Sequence, residues 1–463
     1  RTAGRPSHRW PLTAAAALFA VLFLGGIWHF WPTEPPPGKP GIAVLPFDNY
    51  GGDEATGRLA DGITEDIITD LARFRELDVI ARNSTEVYKG KAVDVREVGR
   101  ALGVSYVLEG SIQRQTDQVR VTAQLIDAAS GAHVWSERWD RPVKDVFAVQ
   151  SEMADTVAGR LGGFGVIERA EHALAKRKRP ADLNAYDLYL LGIERKHRMT
   201  KESEDEAIRL LKQAVDRDPQ LARAWTGLSW AYNLSAGFAA SPEEGNLLYR
   251  QALEAAMRAV QLDPADAEAH DALGEAIAMT SGDLARAQAE IEQALTLNPS
   301  GSMPLFEYAG WASAFGKPEE GAEAADRLIR IDPTLRAISP GGVAYAYFMV
   351  GRYEDALHEL TAKSEDSLNQ TFAVIKAGAL AMLDRGDEAK AVATRMMSRF
   401  PTTIEGFVNR PEWADHERKR LAAAMAKAGF PACLPAGEIA QLARPFLLPE
   451  CEAERAKMAA TKS

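Results

Sequence analysis

The sequence predicts a multidomain protein with a single transmembrane helix, an α/β domain and an all-α repeat solenoid. The helix is predicted by a charge-free stretch near the N-terminus, and the α/β domain by alternating strand-like and helix-like runs over residues 41–167. The solenoid is predicted by prolines that recur at a period near 34 within residues 183–402. A chain of 463 residues is long enough for two to four domains.

The N-terminal stretch, residues 11–31, contains no charged residue. At about 1.5 Å per residue a helix of this length spans roughly 31 Å, close to the hydrocarbon thickness of a bilayer. Trp28 and Trp31 end it, and basic residues precede it: Arg1, Arg5 and Arg9. Because basic residues favour the cytoplasmic side, residues 1–31 are predicted to be a cytoplasmic stub and an inner-membrane helix, with residues 32–463 periplasmic. The alternatives are a cleaved signal peptide and a soluble core helix.

Residues 32–40 contain five prolines and are predicted to be a stiff, extended linker. Since the chain begins with Arg1 rather than Met, we expect a processed or truncated product with a further segment on the cytoplasmic side.

The charge of the chain argues against nucleic acid as a partner. The net charge is −11, and residues 1–40 hold four basic residues and one acidic residue, so the remainder carries −14. A nucleic-acid-binding protein needs a basic face to displace counterions from phosphates.

The α/β domain, residues 41–167, is predicted from runs of two different periods. Residues 42–47 form a short apolar run typical of a strand, and apolar residues then share one face of a helix: Leu59, Ile63, Ile67, Leu71 and Phe74. Asp94 and Gly103 are predicted to cap the two ends of a second helix. From residue 104 the period becomes two, which predicts an antiparallel meander of strands near 104–114, 118–127 and 132–140, followed by a helix to about residue 160.

This region resembles the TolB-like N-terminal domain, which is related to the FlgO type, in the segments IAVLPF, LADGITEDIITDLAR and VIARNSTEVYKGKAVDVREVGRALGVSYVLEGSI. The resemblance implies a structural and interaction module without a common catalytic motif. The whole arrangement resembles the C-terminal membrane-anchored region of bacterial class III adenylate cyclases. The cyclase domain of that arrangement is absent from these residues, so its metal-binding aspartates have no counterparts here.

Residues 168–182 are predicted to be a linker with a basic run at residues 176–179. An anionic lipid or a nucleic acid could attract this run, but a solvated helix end is the interpretation we favour, because four charges beside an acidic domain attract little.

Residues 183–402 resemble tetratricopeptide repeats, whose period is about 34 residues. Pro264, Pro299 and Pro333 follow one another by 35 and 34 residues, and further prolines lie at Pro219 and Pro401. Small residues recur where paired helices would cross: Ala207, Ala214, Ala252, Ala256, Ala259, Ala287, Ala294, Gly321, Ala325, Ala356, Ala389 and Ala393. About six repeats are predicted, stacked into a curved solenoid.

By analogy with the repeat family, the first helix of each repeat would face a groove that holds a protein or peptide ligand. The candidate groove residues are Arg223, Trp230, Asn233, Asp271, Glu275, Phe306, Tyr345 and Phe348. The alternative is that these aromatic residues fill contacts between repeats.

Residues 403–463 are predicted to be a capping helix and a tail. Cys433 and Cys451 could form a disulfide or remain two thiols, since sequence alone does not give their separation.

The sequence predicts no catalytic, cofactor or metal site. The sequence lacks a GxxxxGK[ST] loop, a GxSxG turn and an HExxH motif. The densest group of carboxylates is Asp61, Glu65, Asp66 and Asp70, and we expect it to lie at the start of a helix rather than to bind a metal.

The sequence therefore predicts a non-catalytic sensory or scaffold region, in which a homodimer is possible. The alternatives are an adenylate cyclase in the complete protein and a stand-alone periplasmic envelope-assembly factor.

Overall fold

A mixed sheet covered by helices leads into a helical solenoid. The computed structural model describes residues 39–463 apart from 116–117, 143–145, 164, 180–182, 197, 199, 333–339, 362–367, 411–412, 440–441, 443–444 and 461–463. The predicted linker residues 32–38 and the predicted repeat position Pro333 lie outside the described residues. The elements below belong to one unit, Pro40–Ser463.

The sheet has the strand order β3-β1-β4-β5-β6, with β2 pairing with β4. Its strands are β1 (Gly41–Val44), β2 (Asp48–Asn49), β3 (Asp78–Val79), β4 (Tyr106–Gln115), β5 (Gln118–Asp127) and β6 (His133–Pro142). β1 runs parallel to β3 and β4, whereas β4, β5 and β6 form an antiparallel meander with an irregularity at Leu125 and Ile126. The three long strands begin and end within two residues of the predicted ones.

Helices cover both faces of the sheet. They are α1 (Glu54–Leu71), α2 (Arg82–Thr85), α3 (Val95–Leu102), α4 (Val146–Leu161) and α5 (Val166–Ala175), with a 3-10 turn at Glu86–Tyr88. The Asp53 side chain accepts a hydrogen bond from Thr56 N at 2.8 Å and starts α1, and Gly103 ends α3 at φ 69°. Because neighbouring strand residues point to opposite faces, Ile42 packs with α1 and α4 while Ala43 packs with α3.

The predicted transmembrane helix requires a correction to the fold class. In the part of the chain that the structure describes, no helix is both long and apolar enough to cross a bilayer. Residues 11–31 themselves lie outside the described residues. The longest described helix, α9 (Pro242–Leu262), has 21 residues but carries charges such as Glu254 and Arg258 along its length. The fold class is therefore a small mixed sheet with a helical solenoid, and the predicted single-pass inner-membrane protein with a periplasmic chain is not supported.

Antiparallel helix hairpins form the solenoid. They are α6 (Ala185–Lys196) with α7 (Lys201–Arg217), α8 (Ala222–Ala236) with α9, α10 (Ala267–Ser281) with α11 (Leu284–Leu297), α12 (Ser302–Trp311) with α13 (Pro318–Ile331), α14 (Gly341–Met349) with α15 (Tyr353–Thr361), and α16 (Gln370–Met382) with α17 (Gly386–Arg399). This is a tetratricopeptide-like arrangement, with six such hairpins among the described residues.

Small side chains let the helices of each hairpin approach closely. Ala207, Ala256 and Ala287 are fully buried. A Cβ on Gly274 of α10 would lie 2.5 Å from Ile291 of α11, so that crossing leaves no room for a side chain. The predicted small-residue positions are thus contacts between helices.

The C-terminal segment folds back on the solenoid. It contains α18 (Ile404–Val408), α19 (Asp415–Ala428), α20 (Ala436–Ile439) and α21 (Pro449–Ala460), and α19 packs on α16 and α17. The fully buried Glu405 accepts two hydrogen bonds from Arg455, at 2.9 and 3.1 Å, and others from the backbone N–H groups of Leu434 and Leu448. Cys433 and Cys451 are joined by a disulfide.

A buried ion cluster joins the α/β portion to the repeats. Arg223, at the start of α8, donates hydrogen bonds to Glu76, which follows α1, and to Glu268 of α10. All three residues are at most 8% exposed. Glu76 also accepts a hydrogen bond from Gly163 N at 2.6 Å, and Arg223 Nε lies 3.3 Å from the Tyr189 hydroxyl. One guanidinium therefore connects the loop after α1 with two repeats.

Replacing Arg223 tests the strength of this joint. Arg223→Met leaves Glu76 and Glu268 buried without their cation, so we expect the free energy of unfolding to fall by about 3–5 kcal/mol. The measurement is urea unfolding followed by circular dichroism. Arg209→Met is the matched control, since Arg209 pairs with Glu206 on the surface and its loss should cost at most about 1 kcal/mol. Equal stabilities of the two variants would contradict the prediction.

Candidate functional site

A cavity of about 370 Å³ opens on the first helices of successive hairpins. Its walls come from α10, α12, α14, the start of α16, and the region of α19. Five aromatic residues line it: Phe306, Trp311, Tyr345, Phe372 and Trp413. Three glutamates line it as well, Glu275, Glu307 and Glu417, and among its described lining residues there is no lysine, arginine or histidine. We call this cavity the aromatic groove.

Hydrogen bonds and ring contacts order the end of the aromatic groove that α14 and the region of α19 form, which we call its far end. The Tyr345 hydroxyl donates to Glu417 at 2.5 Å, and its ring stacks on Trp413 with centroids 5.7 Å apart. The Trp413 indole donates to the Phe407 carbonyl at 3.1 Å. Glu417 also accepts a hydrogen bond from Ala414 N at 2.8 Å, which starts α19. These rings are therefore held in place by the protein itself and need no ligand to order them.

Gly341, at the start of α14, leaves space for the ring of Phe372. A Cβ on Gly341 would lie 1.9 Å from the Phe372 ring, which no side chain could tolerate. Phe372 therefore lies directly against the α14 backbone, and Phe306 lies close to Gly342 in the same way.

Several carboxyl groups lie at the opposite end of the aromatic groove, which α10 and α12 form and which we call its near end. Asp271 and Glu275 are four residues apart on α10 and so share a face, and Glu307 lies on α12. Burial raises the pKa of Asp271 well above its usual range, Glu307 and Glu275 add to the rise, and Lys196 of α6 opposes it. Burial likewise raises the pKa of Glu275 and of Glu307. We call Asp271, Glu275, Glu307 and Lys196 the acidic cluster.

Glu204 on α7 is a second buried carboxylate near Lys196. Its side chain is fully buried, and neither oxygen has a hydrogen-bond partner among the described residues. Burial raises the pKa of Glu204 to about 8, while Lys196 lowers it and Asp205 raises it. The Lys196 ammonium lies 4.9 Å from the centre of the Trp230 ring, where the ring's negative face attracts it.

The structure places the predicted groove residues in three environments. Glu275, Phe306 and Tyr345 line the aromatic groove. Asp271, Trp230 and Asn233 are buried beneath its near end, each at most 7% exposed. Arg223 belongs to the ion cluster with the α/β portion, and Phe348 is fully buried, edge-on to Tyr353.

Five residues outside the predicted set also line the aromatic groove: Trp311, Phe372, Trp413, Glu307 and Glu417. Glu307 adjoins the selected Phe306, and Trp311 lies at the end of the same helix, so the first-helix pattern could have found both. Trp413 and Glu417 follow the last repeat, so no repeat register could have indicated them.

Metal-ligating side chains do not form a cluster in the described part of the chain. Within it, no group of three or more His, Cys, Asp or Glu residues could hold a metal ion. The fold and the groove together describe a helical-repeat protein with an attached α/β module and an aromatic, acidic groove.

Comparison with known proteins gives likenesses to parts of the chain. The family model for the second domain of HilA/YgeH-like transcriptional regulators matches residues 39–156. "Putative adenylate cyclase 3" of Rhizobium meliloti (strain 1021) is 42% identical over 250 residues, which cover 53% of this chain. The match covers only 42% of the length of that relative.

Solved structures give distant likenesses. TolB from Acinetobacter baumannii is 21% identical with a TM-score of 0.20, covering 27% of this chain and 28% of TolB. PilF of Pseudomonas aeruginosa is 15% identical with a TM-score of 0.33, covering 48% of this chain and 93% of PilF. The fold described above rests on the chain's own strands and hairpins.

The raised pKa of Glu204 predicts a pH-dependent stability. The folded chain binds a proton at Glu204 more tightly than the unfolded chain does, so the free energy of unfolding falls as pH rises from about 4.5 to about 8. Glu204→Gln cannot ionise. We therefore expect wild type to lose roughly 2–4 kcal/mol more than the variant between pH 4 and pH 9, measured by urea unfolding.

The exposed neighbour Glu202 supplies the control for this prediction. Glu202→Gln should leave the pH profile of wild type unchanged. A Glu204→Gln profile parallel to that of wild type would show that Glu204 is not the titrating group.

Proposed function

We propose that this chain is a protein-interaction region that binds a peptide segment of a partner in the aromatic groove. The observation that carries the proposal is the groove itself, in which five aromatic rings line one cavity across successive repeats. Aromatic rings supply most of the binding energy in many protein interfaces, and an ordered groove loses little entropy when it binds. Glu275, Phe306 and Tyr345 would contact the segment directly.

We further propose that the chain is the regulatory part of a bacterial protein related to adenylate cyclases. The support is the 42% identity to the Rhizobium meliloti relative, over about half of this chain. In this proposal residues 41–167 are a TolB-like interaction module, and residues 168–182, which contain most of α5, connect it to the repeats. The repeats are residues 183–402, and residues 403–463 are the cap and tail. In this proposal residues 1–463 have no catalytic activity of their own.

The alternative within the same proposal is that the complete protein makes cyclic AMP with a catalytic segment outside these 463 residues. Partner binding could regulate such a segment only by binding two states of the protein with different affinities. A homodimer, which would allow such states, is part of this proposal and is measured by sedimentation equilibrium.

Peptide selection tests the groove. A phage-displayed library of random peptides, selected on the purified chain, should yield peptides whose affinity falls at least about tenfold in Trp311→Ala and in Phe372→Ala, because each removes a ring from the groove. Fluorescence anisotropy of the synthetic peptides measures the affinity.

Phe238→Ala removes an exposed ring that does not line the groove, so it should leave the affinity unchanged. Selected peptides that bind the Trp311 and Phe372 variants as tightly as wild type would contradict the proposal, as would failure to select any peptide.

Cyclic AMP measurement tests the regulatory proposal. The purified chain should form no cyclic AMP from ATP and Mg²⁺. In the complete coding sequence that contains it, Phe372→Ala should change cyclic AMP output at least about twofold, since coupling energies between sites are commonly 1–3 kcal/mol. The control is Phe238→Ala in the same background. Cyclic AMP formation by the chain alone, or identical output from wild type and Phe372→Ala, would overturn the assignment.

A further inference from the structure

The acidic cluster contains a carboxylate whose hydrogen-bonding capacity is unused. Asp271 is fully buried, and neither of its side-chain oxygens has a hydrogen-bond partner among the described residues. Buried polar atoms in folded proteins nearly always have partners, since a carboxyl group without water or a hydrogen-bond partner destabilises the fold. Among the described residues, Asp271 therefore lacks a hydrogen-bond donor.

The charges of the acidic cluster favour a positively charged hydrogen-bond donor over a neutral one. Asp271, Glu275 and Glu307 place three carboxyl groups around the single ammonium of Lys196, and these four groups interact electrostatically. A cation that entered between Glu275 and Glu307 would offset the carboxylate repulsion that adds to the effect of burial on the pKa of Asp271 and of Glu307. A neutral donor would supply hydrogen bonds without relieving that repulsion.

The position of the cluster makes it reachable from the aromatic groove. Glu275 and Glu307 are partly exposed and line the cavity, whereas Asp271 is buried one helical turn before Glu275. Phe306 and Trp311, on the same helix as Glu307, also line the cavity. A planar guanidinium can stack on an aromatic ring while it donates to carboxylates, and an ammonium can do so as a point charge.

We infer that the near end of the aromatic groove is a subsite for a cationic side chain, an arginine or a lysine, of the bound partner segment. Glu275 and Glu307 receive the cation at the cavity wall, and Asp271 supplies acceptor oxygens beneath them. The inference rests on the proposed peptide-binding function and adds the chemistry of the ligand to it.

Two matched peptides test the inference. One is fluorescein-labelled and repeats Leu-Arg-Ala four times, and its twin carries citrulline, which is neutral but nearly the same shape, in place of each arginine. We expect the arginine peptide to bind the full chain at least about tenfold more tightly than the citrulline peptide. This preference should shrink as salt is raised from about 50 mM to about 500 mM. Fluorescence anisotropy measures both affinities.

Variants locate the preference. Glu275→Gln and Asp271→Asn, which keep the side-chain shapes, should each reduce the ratio of the two affinities at least about threefold. Glu254→Gln removes a carboxylate from the exposed side of α9, outside the cavity, and should leave the ratio unchanged. If Asp271→Asn does not fold, Glu275→Gln alone decides the question, since its side chain is partly exposed.

The outcomes separate the subsite from the groove. Equal affinities for the two peptides, a ratio that survives Glu275→Gln, or no binding of either peptide would each overturn the cationic subsite. Selected peptides that still depend on Trp311 and Phe372 would show in those cases that the groove binds a partner of different chemistry. Loss of that dependence as well would overturn the proposed function itself.

Discussion

The buried guanidinium of Arg223 is the interaction on which the architecture depends. It joins Glu76 of the α/β portion to Glu268 of the repeats, where burial makes an unpaired charge very costly. Two further ion pairs join the same two portions, Arg75–Asp263 and Arg327–Asp155. An interface built from charges requires specific geometry, so it defines one orientation of the two portions rather than a range of them.

That orientation determines which part of the solenoid remains available. The first three repeats contribute Tyr189, Arg223 and Glu268 to the contact with the α/β portion, and Arg327 of the fourth pairs with Asp155. The later repeats, from α10 to α16, keep their first helices open and carry the aromatic groove.

Local patterns predicted the elements well, and long-range contacts explain what they did not predict. Ala207, Ala256 and Ala287 were predicted to be helix crossings because repeat periodicity is a local signal, and all three are fully buried. Arg223 has the spacing of a groove residue, but its partner Glu76 lies 147 residues earlier, and no pattern along the chain indicates that contact. The charge-free stretch at residues 11–31 led to a membrane assignment that the described helices do not support.

Trp413 and Glu417 extend the aromatic groove beyond the repeats. Both residues belong to the region of α19, after the last hairpin, yet they close one end of the cavity and hold Tyr345 in place. A fragment trimmed at residue 402 would retain every predicted repeat and still present a differently shaped binding surface. The smallest piece that keeps the whole aromatic groove is thus defined by α19 and not by the periodicity.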